Sequence, residues 1–190
     1  NSQVYGGAVR VGNRVNITNC IFDSNYCYSA SGDGADAGAL AVEGNNGFID
    51  GCLFNNNSAY GTSGNEGGVM RLASNTVIKN SNFTNNNAQV ASSIYDYCFD
   101  GCLTITGSNF INNTHMSLGT LFLTTNAFVR NSTFANNRAY DGICGAIDSE
   151  QNLTVSDSIF TNNSAVRSQG YSVGGAIASY GENLNVENSV

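Results

Sequence analysis

The sequence contains no proline and no tryptophan, a single histidine and only two methionines. Without proline no turn is pre-set by a fixed φ, so reversals must come from glycine and asparagine, present 22 and 30 times. Charge is scarce too, at 11% of residues against about 25% in an average domain, which leaves a surface of amides and hydroxyls. Seven scattered basic residues face fourteen acids, for a net charge of −7. Such a chain offers no basic patch to release counterions from nucleic acid or to hold an anionic membrane. No apolar run approaches the roughly 18 residues of a membrane span, so no membrane insertion of this segment is expected. The opening NSQVYGG lacks the charged and apolar regions of a signal peptide, and the chain reads as mature or excised. His115 stands alone, and Cys98-x-x-x-Cys102 has no second pair at zinc-finger distance, so zinc is not expected.

What the sequence does contain is a repeat. Phe22, Phe54, Phe83, Phe110, Phe134 and Phe160 recur at intervals of 24 to 32 residues, and three residues after them stand Asn25, Asn57, Asn86, Asn113, Asn137 and Asn163. Five residues before each Phe, and again in a seventh incomplete unit, stand Ile17, Ile49, Ile78, Ile105, Val129, Val155 and Val186, all β-branched. Two before lies a column of small side chains: Cys20, Cys52, Ser81, Ser108, Ser132, Ser158 and Ser189. The position three before the Phe holds only Gly, Asn or Asp, the residues that tolerate the left-handed αL conformation.

Each unit also begins with a Gly-rich step, such as GGAV at 6–9 or GGAI at 174–177, followed by alternation: Val9/Val11, Leu40/Val42, Met70/Leu72, Tyr95/Tyr97 and Leu121/Leu123 on one face. A period of two means strand. Three short strands and three bends per unit make one triangular coil of a parallel β-helix, in which identical residues stack at about 4.8 Å. Phe then stacks on Phe inside, and the Asn side chains form a hydrogen-bonded ladder. The expected fold is all-β, a single-stranded parallel β-helix (solenoid) over 1–190, with about six complete coils and the start of a seventh. A propeller is disfavoured because its blades need four strands and about 40 residues.

The pairing of GGAI-like tetrads with FxxN, seen here as FDSN, FNNN, FTNN, FINN, FANN and FTNN, resembles the repeats of the chlamydial polymorphic outer-membrane proteins. AGAL, GGVM and CGAI are looser matches, while ASSIY at 91–95 and GTLF at 119–122 depart from the pattern. The resemblance implies a right-handed β-helix and a surface role as an adhesin.

Polysaccharide lyases and hydrolases also resemble β-helices, with acids on the outer face of one sheet. The outward column of the first strand is expected to be Arg10, Ala41, Arg71, Asp96, Phe122, Asp148 and Ala178. Asp96 and Asp148, two coils apart, would stand about 9.6 Å from each other, at the limit for an inverting pair. Phe122 lies between them, and Arg71 with Asp96 reads as an ordinary surface pair, so no catalytic residues are assigned. Asp33 and Asp36 in SGDGADAG could hold a calcium ion through carboxylate and carbonyl oxygens, but two acids are few for such a site; the stretch reads in preference as a loop, and no cofactor is expected.

Six cysteines in an Asn-rich, low-charge chain point to an oxidising, extracellular or cell-surface location. Cys20 with Cys52, in adjacent coils, and Cys98 with Cys102, across a Phe-Asp-Gly turn, are the candidate disulfides; Cys27 and Cys144 lie too far apart to pair. Of seven N-x-S/T sequons, Asn16, Asn82 and Asn152 should point outward and carry glycans in a eukaryotic secreted chain. Asn131 belongs to the αL bend, and Asn56, Asn112 and Asn162 to the Asn turn.

The function expected is a non-catalytic extracellular or cell-surface scaffold that builds a fibre or appendage by end-to-end stacking, with itself or neighbouring repeats as partner. The repeat pattern begins and ends in mid-unit, which favours this. The alternative is an adhesin presenting Tyr26, Tyr28, Tyr60, Tyr140 and Tyr171 to a carbohydrate or surface protein. A polysaccharide lyase or hydrolase is the third.

Overall fold

The computed structural model describes residues 6–29, 35, 37–61, 68–73, 75–96, 98, 100–168, 170 and 173–190. Strands two to five residues long wind into a parallel solenoid, every strand pairing with its copy one coil away. Among the described residues there are four sheets, with seven strands in the first and second and six in the third and fourth. The third coil shows the plan: Met70–Leu72, Val77–Lys79, Asn82–Thr84 and Asn87–Ala88 follow one another, one in each sheet. The fourth strand corrects the expectation of three per coil. Its inward column is Cys27, Ala59, Ala88, His115, Ala139 and Ala165, mostly too small to look like a strand in sequence.

The stacked columns form as expected. Ile17, Ile49, Ile78, Ile105, Val129, Val155 and Val186 lie in register along the second sheet. The Phe rings stack from Phe22 to Phe160 with centroids 4.7–4.9 Å apart and planes within 9° of parallel. Phe54, Phe83, Phe110 and Phe134 are fully buried, each contributing about 1.5–3 kcal/mol.

Two αL bends recur down the stack and explain the paired asparagines, while a third, at Arg14, Asn46 and Asn75, is found in the first three coils. The first falls on Asn19, Gly51, Asn80, Gly107, Asn131, Asp157 and Asn188, with φ of 46–64°. A Cβ at Gly51 would meet Asn19 Oδ1 at 2.5 Å, so glycine follows where the preceding coil's Asn leans over it. The second bend falls on Ser24, Asn56, Asn85, Asn112, Asn136 and Asn162, with φ of 53–57°. The first Asn of each doublet therefore turns the chain and bonds along the exposed outside, as Asn162 Nδ2 does to Asn136 Oδ1 at 2.8 Å, while the second forms the inner ladder. The Gly-rich step has another cause: a Cβ at Gly38 would lie 2.2 Å from the Gly68 carbonyl oxygen of the next coil.

In the ladder, the backbone N–H and Nδ2 of Asn86 both donate to Asn113 Oδ1, at 3.0 Å each. Asn113 Nδ2 donates onward to Asn137 Oδ1 at 3.0 Å and back to the Phe83 carbonyl at 2.9 Å. The same bonds run from Asn25 to Asn163. The small-residue column is a second ladder. Ser108 Oγ donates to the Thr106 carbonyl at 3.2 Å and accepts the Ser81 N–H at 3.2 Å, and Ser132 and Ser158 do likewise.

Cys20 and Cys52 belong to this serine column. Cys52 Sγ approaches the Asp50 carbonyl at 3.4 Å and receives the Cys20 N–H at 3.5 Å, as a serine hydroxyl does elsewhere in the column. Cys20 Sγ turns to the Thr18 carbonyl at 3.3 Å. Both are thus held as thiols rather than as the expected disulfide, and no disulfide joins Cys98 to Cys102 in this structure either.

Candidate functional site

The expected outward acid pair does not form. Ile94 pairs with Met70 and Leu121, which puts Tyr95 in the outward column and Asp96 in the interior column of Leu72 and Leu123. The interior slot takes the aliphatic Ile94 in preference to a tyrosine ring, shifting the alternation by one residue. Asp96 is 1% exposed; its Oδ2 accepts the Thr125 hydroxyl at 2.5 Å and the Thr125 N–H at 3.2 Å. Burial raises its pKa to about 6, partly offset by these bonds. The Arg71–Asp96 surface pair is likewise absent, since Arg71 lies in register with Tyr95 on the outer side.

Asp148 does occupy the outward column, between Phe122 and Ala178, but it is fully buried, and neither carboxylate oxygen has a hydrogen-bond partner among the described residues. Desolvation, with the nearby Glu150 charge, raises its pKa to about 7. Beside it the Cys144 thiol is also pushed up, first by burial and then by Asp148.

His115 fills one place in the alanine column and is fully buried. Its Nε2 donates to the Cys144 carbonyl at 2.9 Å, while Nδ1 lies 3.4 Å from the Ser92 hydroxyl. Burial lowers its pKa to about 4, so the imidazole is neutral. The arrangement binds the imidazole to a backbone carbonyl and leaves the thiol protonated, which is the chemistry of a satisfied core rather than of an activated nucleophile.

Among the described residues no group of three or more His, Cys, Asp or Glu is placed to hold a metal ion. Asp33, Asp36 and Tyr171 lie outside the described residues. Among the described residues no helix is long and apolar enough to cross a membrane.

The open features are on the side faces. Asn16 is exposed, as expected for a glycan acceptor. Asn82 and Asn152 are half-buried, their Oδ1 atoms accepting from Asn109 Nδ2 at 2.8 Å and the Asn183 N–H at 3.0 Å. Along the edge of the fourth sheet, within its strands at Tyr28 and Tyr60 and one residue past them elsewhere, the position three after each ladder Asn carries Tyr28, Tyr60, Gln89, Met116, Tyr140 and Val166. All but Gln89 are among the exposed large apolar side chains, and Tyr26 joins them at one end. This stripe is not evident from the tyrosines alone, although a fixed offset from the Asn column finds it.

Four parallel sheets wound about one hydrophobic axis, with ladders running coil to coil, define a parallel β-helix solenoid. A family model for the right handed beta helix region matches residues 6–190, and the chain belongs to that family. No curated protein and no solved structure matches it.

Proposed function

We propose that the chain is a non-catalytic scaffold of the cell exterior that lengthens by stacking coil on coil, its end faces taking further coils from the same chain or another copy. The observation that carries this is that every coil meets the next through the same columns, Phe ring on Phe ring and ladder Asn on ladder Asn, so the face of one coil fits that of any other.

Negative-stain imaging of the purified chain over a range of concentrations tests this, with filaments one coil wide as the expected result. A discrete monomer throughout, from a gene coding no further repeats, would refute it. The exposed Tyr and Met stripe favours a second reading, an adhesin that binds a carbohydrate or surface protein along the fourth sheet. Tyr60→Ala and Tyr140→Ala should then abolish cell-surface binding without changing filament length.

A further inference from the structure

The second sheet carries two outward rows, exposed or half-buried except at Ser156. Along the axis the first row reads Asn16, Phe48, Val77, Thr104, Phe128, Thr154, Asn185. The second reads Thr18, Asp50, Lys79, Thr106, Arg130, Ser156, Glu187. Phe128 is 40% exposed, an aromatic ring left in solvent on a sheet whose inner face is the core. Lys79 covers Phe48, its Nζ 5.8 Å from the ring centroid, but the Arg130 guanidinium has no hydrogen-bond or ion-pair partner among the described residues. Asp50 receives one bond, from Asn80 Nδ2 at 2.9 Å, and has acceptor capacity left.

These rows are self-complementary. A two-fold axis parallel to the strands, passing between the third and fourth coils, sets a second copy face to face and reverses its coil order. Coil two then faces coil five. Phe48 meets Phe128 of the second copy and Asp50 meets its Arg130, each twice by symmetry. Val77 faces Thr104, and Lys79 faces Thr106. Sheets packed this way lie about 10 Å apart, a distance side chains of this size fill. We infer that the second sheet is the contact face of an antiparallel pair of copies of this chain, held by the two aromatic contacts and the two Asp50–Arg130 ion pairs.

The pair is isologous and closes at two, unlike end-to-end stacking, which is open-ended. Within one chain Asp50 and Arg130 stand three coils apart, about 14 Å at the strand spacing, beyond any direct contact, so an effect of one on the other reports a second molecule. A glycan on Asn16 would stand on this same face, opposite Thr154 of the second copy. The unglycosylated chain is therefore the one to test.

Sedimentation velocity across a concentration series, with circular dichroism to confirm folding, decides it. The expected result is a reversible dimer whose dissociation constant rises about tenfold or more in Arg130→Asp and in Asp50→Arg, where like charges face each other. The double charge reversal should return it to within about threefold of the parent. A chain that stays monomeric to millimolar concentration overturns the inference. So does a dimer indifferent to Arg130→Asp, or a double variant no better than the singles. Open-ended oligomers that ignore Arg130→Asp would support end-to-end stacking and overturn the face-to-face pair, whereas a closed dimer lost on Arg130→Asp with no filaments would do the reverse.

Discussion

Replacing Asp148 with asparagine should make the protein more stable at high pH and leave it almost unchanged at low pH. The carboxyl is fully buried with no hydrogen-bond partner on either oxygen among the described residues, and its pKa rises from 3.8 to about 7. The fold thus prefers the neutral acid. Its contribution is fully present below about pH 4 and is lost as the pH rises through 7, where the native state must ionise a sealed group that the unfolded chain ionises freely. A shift of roughly three units corresponds to about 4 kcal/mol at most. The amide that Asp148→Asn introduces is neutral at every pH and carries none of this slope. Tryptophan is absent, so denaturant unfolding is best followed by circular dichroism, at unit steps from pH 4 to 8. The two proteins should coincide near pH 4, with the variant gaining on the parent by up to about 1.4 kcal/mol per pH unit until the gap levels off above pH 7. A gap that is constant across this range would refute the reasoning, because it would mean that the Asp148 proton plays no part in stability.

The opposite slope belongs to His115. Its pKa falls from 6.5 to about 4, so its contribution is present above 6.5 and lost as the pH drops through 4. His115→Ala should flatten the acid limb of the same profile, at a constant cost from the hydrogen bonds it removes. In the Asn ladder, Asn113→Ala leaves the Asn86 N–H and the Phe83 carbonyl without these partners in a sealed interior, and should cost about 2–4 kcal/mol by denaturant melting. Cys52→Ser replaces a thiol in a serine column and should change stability by less than about 1 kcal/mol, whereas loss of a structural disulfide would cost about 2–5. If the chain is secreted through a glycosylating pathway, Asn16 should carry a glycan, which intact mass before and after deglycosylation would reveal as a shift lost in Asn16→Gln.

The coil is legible because stacking places chemically identical residues on one another, so each column carries its own structural reason. The Ile, Phe and ladder Asn columns each solve one problem many times over, and a column repeated that often is hard to misread. The sequence misleads where a position is decided by something off the column. Ala59, Ala88 and Ala139 look like loop residues, yet small side chains are what the tight corner beside the Gly step admits: a Cβ at Gly68 would already meet that of Ala88 at 2.9 Å. ASSIY can be aligned with Tyr95 or Ile94 facing inward, and only the volume of the interior chooses between them. Asp148 sits on an outward column, but the Gly119 backbone lies so close that a Cβ there would be 3.1 Å from the Asp148 Cβ. The cysteine count suggests disulfides, although the serines that follow Cys20 and Cys52 in the same column show what a small polar side chain does there.

The asparagine ladder also gives the solenoid a direction. Every ladder Oδ1 after the first accepts from the coil before it, and every ladder backbone N–H before the last donates to the coil after it, so the side-chain amide dipoles add along the axis. Like an α-helix, whose aligned peptides leave positive N–H groups at one end and negative carbonyls at the other, the stack is polarised. Here the amide of Asn163 marks the positive pole and the Asn25 oxygen the negative one. Two such rods attract head to tail and repel head to head, and lying side by side in opposite directions they cancel each other's field.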